Sequence, residues 1–97
     1  MNKTEAAWLD ELIRIGYTRI RFSAITFKLG HDCRYTPDFI CFTRSGQMIA
    51  WEVKGFRRDD AMVKLRVAAT VFPEVEFILV ELKKSIWVRT YISPIPL

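Results

Sequence analysis

The sequence has few of the residues that bind structural zinc or form disulfide bonds. It contains two cysteines, Cys33 and Cys41, and a single histidine, His31. A closed zinc site needs about four such ligands, so this set is one ligand short. We therefore expect two reduced cysteines, one of them buried in a strand, and we see no sign of a disulfide-stabilised secreted protein.

Long apolar runs are also missing. The first five residues are polar and acidic, and they lack the apolar segment of a signal peptide. No apolar stretch approaches the roughly 20 residues that a membrane-spanning helix needs. The sequence therefore predicts a soluble, intracellular protein without a membrane partner.

Glycine and proline are sparse, with four of each in 97 residues, and no linker, repeat or low-complexity tract is visible. Because 51% of the residues are apolar, the chain can form a core, and its length fits a single domain over residues 1–97. The net charge of +4 is mildly basic and is by itself weak evidence for nucleic-acid binding.

Hydrophobic periodicity predicts an α/β protein with the element order α-β-β-β-α-β-β. The first helix is expected to be capped by Thr4 and to end at Gly16, and the second, over about residues 59–71, to be capped by Asp59 or Asp60. Strands are predicted over residues 19–29 (with a bend near Ala24), 36–43, 47–53, 77–82 and 86–92.

The connections between these elements predict how the strands pair. Residues 30–34 are predicted to form a turn. Residues 44–46, which include Gly46, predict a hairpin between the strands over residues 36–43 and 47–53. The second helix lies between strands 47–53 and 77–82, and such a crossover is what parallel neighbours need. We therefore expect a mixed central sheet flanked by helices.

Three ionisable residues stand out in otherwise apolar strands. Asp38 precedes an apolar run, and Glu52 and Lys54 are two positions apart in another. Alternate residues of a strand point to the same face, so Glu52 and Lys54 share a face that Trp51 and Val53 do not. A hairpin would bring Asp38 close to both.

Two carboxylates and a lysine in one place have a specific chemistry. Neighbouring carboxylates repel unless a cation neutralises them, and oxygen ligands of this kind suit Mg²⁺ or Mn²⁺. A lysine beside the metal can hold the attacking water or neutralise charge on a phosphoryl group. The structural alternative is that Asp38 caps a turn while Glu52 and Lys54 form a solvated pair.

The pattern Pro37-Asp38 followed by Glu52-Val53-Lys54 resembles the PD-(D/E)XK nuclease superfamily, and so does the order of elements. The resemblance implies a restriction-endonuclease-like core and metal-dependent hydrolysis of DNA phosphodiester bonds. It implies one or two Mg²⁺ or Mn²⁺ ions bound by Asp38, Glu52 and the backbone carbonyl of Val53, with Lys54 positioning the nucleophilic water.

Members of this superfamily often add a carboxylate from the first helix, and Glu5 matches that position. Glu5 shares a helix face with Trp8, Leu9 and Leu12, so it is expected to point toward the sheet. The resemblance makes it a catalytic residue that completes the metal site directly or through water. The alternative is a first-turn carboxylate that interacts with the helix dipole.

Basic residues near the motif are candidates for phosphate contacts, which supply affinity without reading sequence. The DNA-binding candidates are Arg34, Arg57, Arg58 and Lys64. Five further arginines, each of which taken alone is expected to be an ordinary solvated residue, are Arg14, Arg19, Arg21, Arg44 and Arg66.

The chain resembles small phage endonucleases that act on Holliday junctions, which implies branched DNA as substrate, a homodimer, and the cytoplasm of a bacterium or a phage-infected cell. No recognition motif such as a helix-turn-helix is visible. Two alternatives remain open. One is a transposon- or restriction-type nuclease guided by a partner protein, and the other is a nucleic-acid-binding module that does not cut.

Overall fold

The protein is a mixed α/β structure with two helices and a five-stranded mixed sheet. The computed structural model describes residues 1–54 and 58–96, without the side chains of residues 58 and 59. The elements are α1 Lys3–Ile15, β1 Arg21–Phe22, β2 Phe27–Gly30, β3 Cys33–Tyr35, β4 Phe39–Phe42, β5 Met48–Lys54, α2 Arg58–Val71, β6 Glu76–Lys83 and β7 Ile86–Tyr91.

The N-cap of helix α1 lies two residues earlier in the chain than the sequence predicted. Asn2 caps the helix by accepting a hydrogen bond from the Glu5 N–H at 2.8 Å, and the Glu5 carboxylate accepts one from the Asn2 N–H at 2.8 Å. This reciprocal pair satisfies two free donors at once. The prediction that Thr4 caps α1 is therefore wrong, because Thr4 lies inside the first turn, whereas the predicted end at Gly16 is confirmed by its left-handed φ of 110°.

The predicted strand over residues 19–29 is in fact two separate strands. Ser23 adopts a left-handed φ of 49°, and its N–H donates to the Asp38 carbonyl at 2.8 Å, so the chain leaves the main sheet after Phe22. Strand β2 then pairs with β3 in a second, two-stranded sheet. The prediction of a turn over residues 30–34 is also wrong at its end, because Cys33 already begins β3.

The main sheet has the strand order β1-β4-β5-β6-β7. The predicted β4–β5 hairpin and the predicted parallel pairing of β5 with β6 are both confirmed, and the other neighbours are antiparallel. Helix α2 starts at Arg58, so Asp59 and Asp60 lie inside it and the prediction that one of them caps it is wrong.

Two apolar clusters, one on each face of the sheet, form the core. Helix α1 covers the first face through Trp8 and Leu12, which pack on Phe39, Cys41, Ile49, Trp51, Val53, Ile78 and Val80. Helix α2 and the β2–β3 pair cover the second face, where Leu65, Ala68, Ala69, Phe27, Leu29 and Tyr35 pack on Ile40, Ala50, Phe77 and Leu79. The sheet is thus the middle layer of three.

Both cysteines are free thiols, and Cys41 is buried in β4, as expected. Neither helix in the described ranges is long and apolar enough to cross a membrane.

Candidate active site

The antiparallel register of β4 and β5 brings Asp38 to Glu52. Phe39 pairs with Trp51, so the preceding residue, Asp38, lies opposite Glu52. The Val53 N–H donates to Asp38 Oδ2 at 2.8 Å and holds this carboxylate against β5. The predicted approach of Asp38 to the Glu52–Lys54 pair is therefore confirmed.

Glu52 is buried, with a relative exposure of 7%, although it is a carboxylate. Each of its oxygens has a donor: the Tyr35 hydroxyl donates to Oε1 at 2.6 Å, and Lys54 Nζ lies 3.0 Å from Oε2. Because buried ionised groups are costly unless paired, these two donors hold the carboxylate in one orientation. Glu52 lies on the α2 side of β5 and Trp51 on the α1 side, as the alternation predicted.

Tyr35 is a site residue that the sequence did not reveal. Strand β3 crosses the α2 side of the sheet, and this places the Tyr35 ring in the core, with its hydroxyl on Glu52. Burial and the neighbouring Glu52 carboxylate both raise the pKa of Tyr35, so the hydroxyl keeps its proton and remains a donor.

Asp38 has an unusual ionisation. Burial raises its pKa to about 7, the hydrogen bond from the Val53 N–H opposes this rise, and the neighbouring Glu52 and Glu5 carboxyls add to it. Glu52 and Glu5 therefore both act on Asp38 at the same end of the sheet. Such crowding of like charges favours either a proton or a cation.

Glu5 reaches this end of the sheet from α1. It is half-buried, and both its charge and a hydrogen bond to Asp38 act on the Asp38 carboxyl, so the two side chains are neighbours. The expectation that Glu5 points toward the sheet is thus confirmed. Glu5 also serves the capping box with Asn2, so its helix-terminal role and its place beside Asp38 coexist.

The described residues hold no group of three Asp, Glu, His or Cys side chains able to bind a metal ion. Mg²⁺ does not require one, because it usually binds through one or two carboxylates and completes its shell with water and substrate phosphates. Asp38 and Glu52, which lie opposite each other and carry oxygen donors, fit that requirement. Glu5 is placed to act on such an ion through water.

Glu81 is a second buried carboxylate that the sequence reading missed. It is 6% exposed, pairs in register with Lys54 across the parallel β5–β6 ladder, and lies 3.9 Å from Lys83 Nζ. A single carboxylate in the apolar run of β6 is the same signal that singled out Glu52, and it could have been used here.

The predicted DNA-binding residues are only partly described. Arg34 on β3 and Lys64 on α2 are exposed neighbours, and Lys64 Nζ lies 3.5 Å from the Arg34 carbonyl oxygen. Arg34 directly precedes Tyr35 on β3, and Lys64 contacts that strand from α2. These two cations therefore lie on the α2 side near the site. Arg57 and the Arg58 side chain lie outside the described residues.

The ionisation of Asp38 predicts a specific pH dependence of stability. Because folding raises its pKa from 3.8 to about 7, the folded state binds this proton more tightly than the unfolded state. The stabilising contribution is therefore complete below about pH 4 and is lost as the pH rises to about 7. In metal-free buffer, Asp38→Asn should remove this component from urea unfolding measured at pH 5 and pH 8.

A matched control is Asp10→Asn, which makes the same chemical change at an exposed position of α1. Its pH dependence should follow that of the wild type. If Asp38→Asn and wild type lose the same stability between pH 5 and pH 8, the raised pKa of Asp38 is contradicted.

No protein-family model matches the chain, and no curated protein matches it significantly. The interpretation of the site therefore depends on its own geometry.

Proposed function

We propose that the protein is a metal-dependent endonuclease that hydrolyses phosphodiester bonds of DNA. The observation that carries the proposal is the meeting of Asp38, Glu52 and Lys54 at one end of the sheet, with Asp38 opposite Glu52 and Lys54 Nζ 3.0 Å from the Glu52 carboxylate. Two carboxylates can hold a divalent metal ion, and an ammonium group beside them can offset negative charge on a phosphoryl group.

Asp38 and Glu52 are the residues that would hold Mg²⁺ or Mn²⁺, with the Val53 carbonyl and, through water, Glu5. The bound ion would supply Lewis-acid stabilisation of the phosphoryl oxygens and, if two ions bind, of the leaving oxygen. The hydrogen bonds from Val53 and Tyr35 would keep the two carboxylates oriented before the ion arrives.

Lys54 would position the attacking water and offset negative charge that develops on the phosphoryl group. The water oxygen would form a bond to phosphorus and give up a proton to solvent, while the bond to the leaving oxygen breaks and that oxygen takes up a proton from solvent. No bond forms between the protein and the DNA. Trp51 and Val53 face α1, so Glu52 and Lys54, which alternate with them along β5, lie on the α2 side.

We also propose that the fold is a restriction-endonuclease-like core. A helix, a hairpin of β4 and β5, a crossover helix and a parallel β6 support the resemblance to a restriction-endonuclease-like core. The resemblance also motivates a branched DNA substrate and a homodimer. The outer strand β7 exposes Ile86 and Val88 on one face, a surface that a second copy can cover.

The test is cleavage of a labelled four-way junction beside linear duplex and single strand, with Mg²⁺ or Mn²⁺ and with Glu52→Gln as control. Paired nicks in the junction that disappear in the control support a junction-selective endonuclease. Equal cleavage of all substrates retains the nuclease and removes the selectivity. Binding without cleavage under any metal favours the partner-guided or non-cleaving alternatives, and sedimentation of the same samples reports the oligomeric state.

Tyr35→Phe is expected to lower metal affinity and the rate constant for cleavage by about 10- to 100-fold, the usual effect of losing a partner of a metal ligand. The change removes the hydroxyl that donates to Glu52 Oε1 and leaves the buried ring in place. Calorimetric titration with Mn²⁺ and single-turnover kinetics would measure both effects.

Tyr91→Phe removes a hydroxyl from an exposed tyrosine on the outer strand β7, two strands away from Glu52, and serves as the control. The KM for DNA should change little in either variant. Equal losses of metal affinity in the two variants would contradict a positioning role for Tyr35.

A further inference from the structure

An open cavity of about 900 Å³ lies at the opposite end of the sheet from Glu52 and Lys54. The turn that follows α1 forms one wall and the β4–β5 turn forms the other. Each wall contributes one arginine, Arg19 and Arg44, and the described lining contains no aspartate or glutamate. The cavity is therefore a positively charged site between two turns.

Within the part of the chain that the structure describes, no carboxylate pairs with either guanidinium. Among the described residues Arg19 and Arg44 form no ion pair, whereas Arg14 pairs with Glu11 and Arg89 lies over the Trp8 and Trp51 rings. Two cations that share a cavity without a carboxylate repel each other, and an anion between them relieves that repulsion. The cavity thus has the charge of an anion-binding site.

The cavity is also lined by hydroxyl-bearing and aromatic residues. The threonines Thr18 and Thr43 and the aromatic residues Tyr17 and Phe42 line the same cavity. Backbone recognition of nucleic acid uses arginine together with hydroxyl groups, and aromatic rings pack on sugars and bases. A cavity this large and open accommodates a stretch of nucleic-acid backbone rather than one enclosed small anion.

We propose that Arg19 and Arg44 form a second phosphate-binding site for the DNA that enters the Asp38–Glu52–Lys54 site; this inference rests on the proposed function. The five steps along the chain from Asp38 to Thr43 span about 16 Å at the rise of a strand. The eleven steps from Glu5 to Gly16 also span about 16 Å at the rise of a helix. At roughly 3.4 Å per nucleotide, the contact falls about five nucleotides from the cut.

The test compares DNA hairpins with short and long stems, because only the long stem reaches both sites. Binding of hairpins with stems of about 4 and about 16 base pairs is measured by fluorescence anisotropy with Ca²⁺ in place of Mg²⁺. The double variant Arg19→Ala/Arg44→Ala should bind the long stem about 10-fold more weakly than the wild type does. The slope of its log affinity against log salt concentration should fall by the equivalent of up to about two phosphate contacts. Its affinity for the short stem should equal that of the wild type.

The control is Lys28→Ala/Arg66→Ala, which removes the same charge from exposed positions on the α2 side of the sheet. It should change affinity for the long stem by less than about 2-fold. Equal losses of affinity in the two double variants, or equal losses of affinity for both stems, would overturn the second site. The net positive charge of the protein would then explain the effect.

Two further outcomes would overturn the proposal. Cations near a helix C-terminus stabilise the helix, so a lower urea midpoint with unchanged affinity for the long stem would assign the arginines to α1 instead. Saturable binding of inorganic phosphate alone, lost in Arg19→Ala/Arg44→Ala, would identify a site for a free anion. A protein that binds the long stem in this length-dependent way but never cuts DNA retains the second site and loses only the nuclease proposal.

Discussion

Glu52→Gln is expected to slow cleavage of DNA by at least about 10³-fold, since the loss of an anionic metal ligand removes several kcal/mol of transition-state stabilisation. The amide oxygen can still accept the hydrogen bond from Tyr35, and Lys54, whose side chain is 31% exposed, can turn to solvent, so the fold should persist. Single-turnover cleavage with saturating Mg²⁺ would measure the rate. Urea unfolding and DNA anisotropy would show that stability and affinity are retained.

The matched control for this change is Glu76→Gln. Glu76 is exposed at the start of β6, at the far end of the sheet from Lys54, and the substitution is chemically identical. It should leave the cleavage rate within about 3-fold of the wild type, as exposed substitutions usually do. A Glu52→Gln protein that cleaves within 10-fold of the wild-type rate would refute the assignment of Glu52 as a metal ligand.

Lys54→Met should lower the cleavage rate constant by about 10²- to 10³-fold, the effect of removing one group that stabilises developing charge. The KM for DNA is expected to change little, because one ammonium contributes a small part of the affinity for a polyanion. Lys54→Arg should restore only part of the rate, since a planar guanidinium does not replace a compact ammonium. Full time courses at several DNA concentrations would separate the two constants.

Lys83→Met is the control, since Lys83 is an exposed lysine beside the other buried carboxylate, Glu81. If net charge near the site is all that matters, the two methionine variants will lose activity equally. The proposed role of Lys54 requires that only Lys54→Met loses the rate while both proteins keep their affinity for DNA.

Part of the fold was accessible from local patterns. The alternation in β5 correctly separated Glu52 from Trp51, and the crossover helix correctly predicted parallel β5 and β6. The single strand over residues 19–29 was wrong, because Ser23 turns the chain out of the sheet and donates its N–H to Asp38. That hydrogen bond joins residues 15 positions apart, and no local pattern contains it.

In the site, too, one contact follows from local sequence patterns and another depends on tertiary packing. The pairing of Asp38 with Glu52 follows from a hairpin register that a short turn sets. The contact between Tyr35 and Glu52 depends instead on a separate two-stranded sheet laid across the face of the main sheet. Nothing in the spacing of these residues predicts that layer.

The sequence by itself determined which residues share a strand face, where the main hairpin lies and that Asp38, Glu52 and Lys54 belong together, because strand periodicity and turn length are local properties. Only the tertiary structure decided that Tyr35 holds Glu52, that Asp38 is buried enough for its pKa to reach about 7, and that Arg19 and Arg44 face one cavity. These features arise from the packing of separate layers, and the burial and charge of a side chain depend on every element that packs around it.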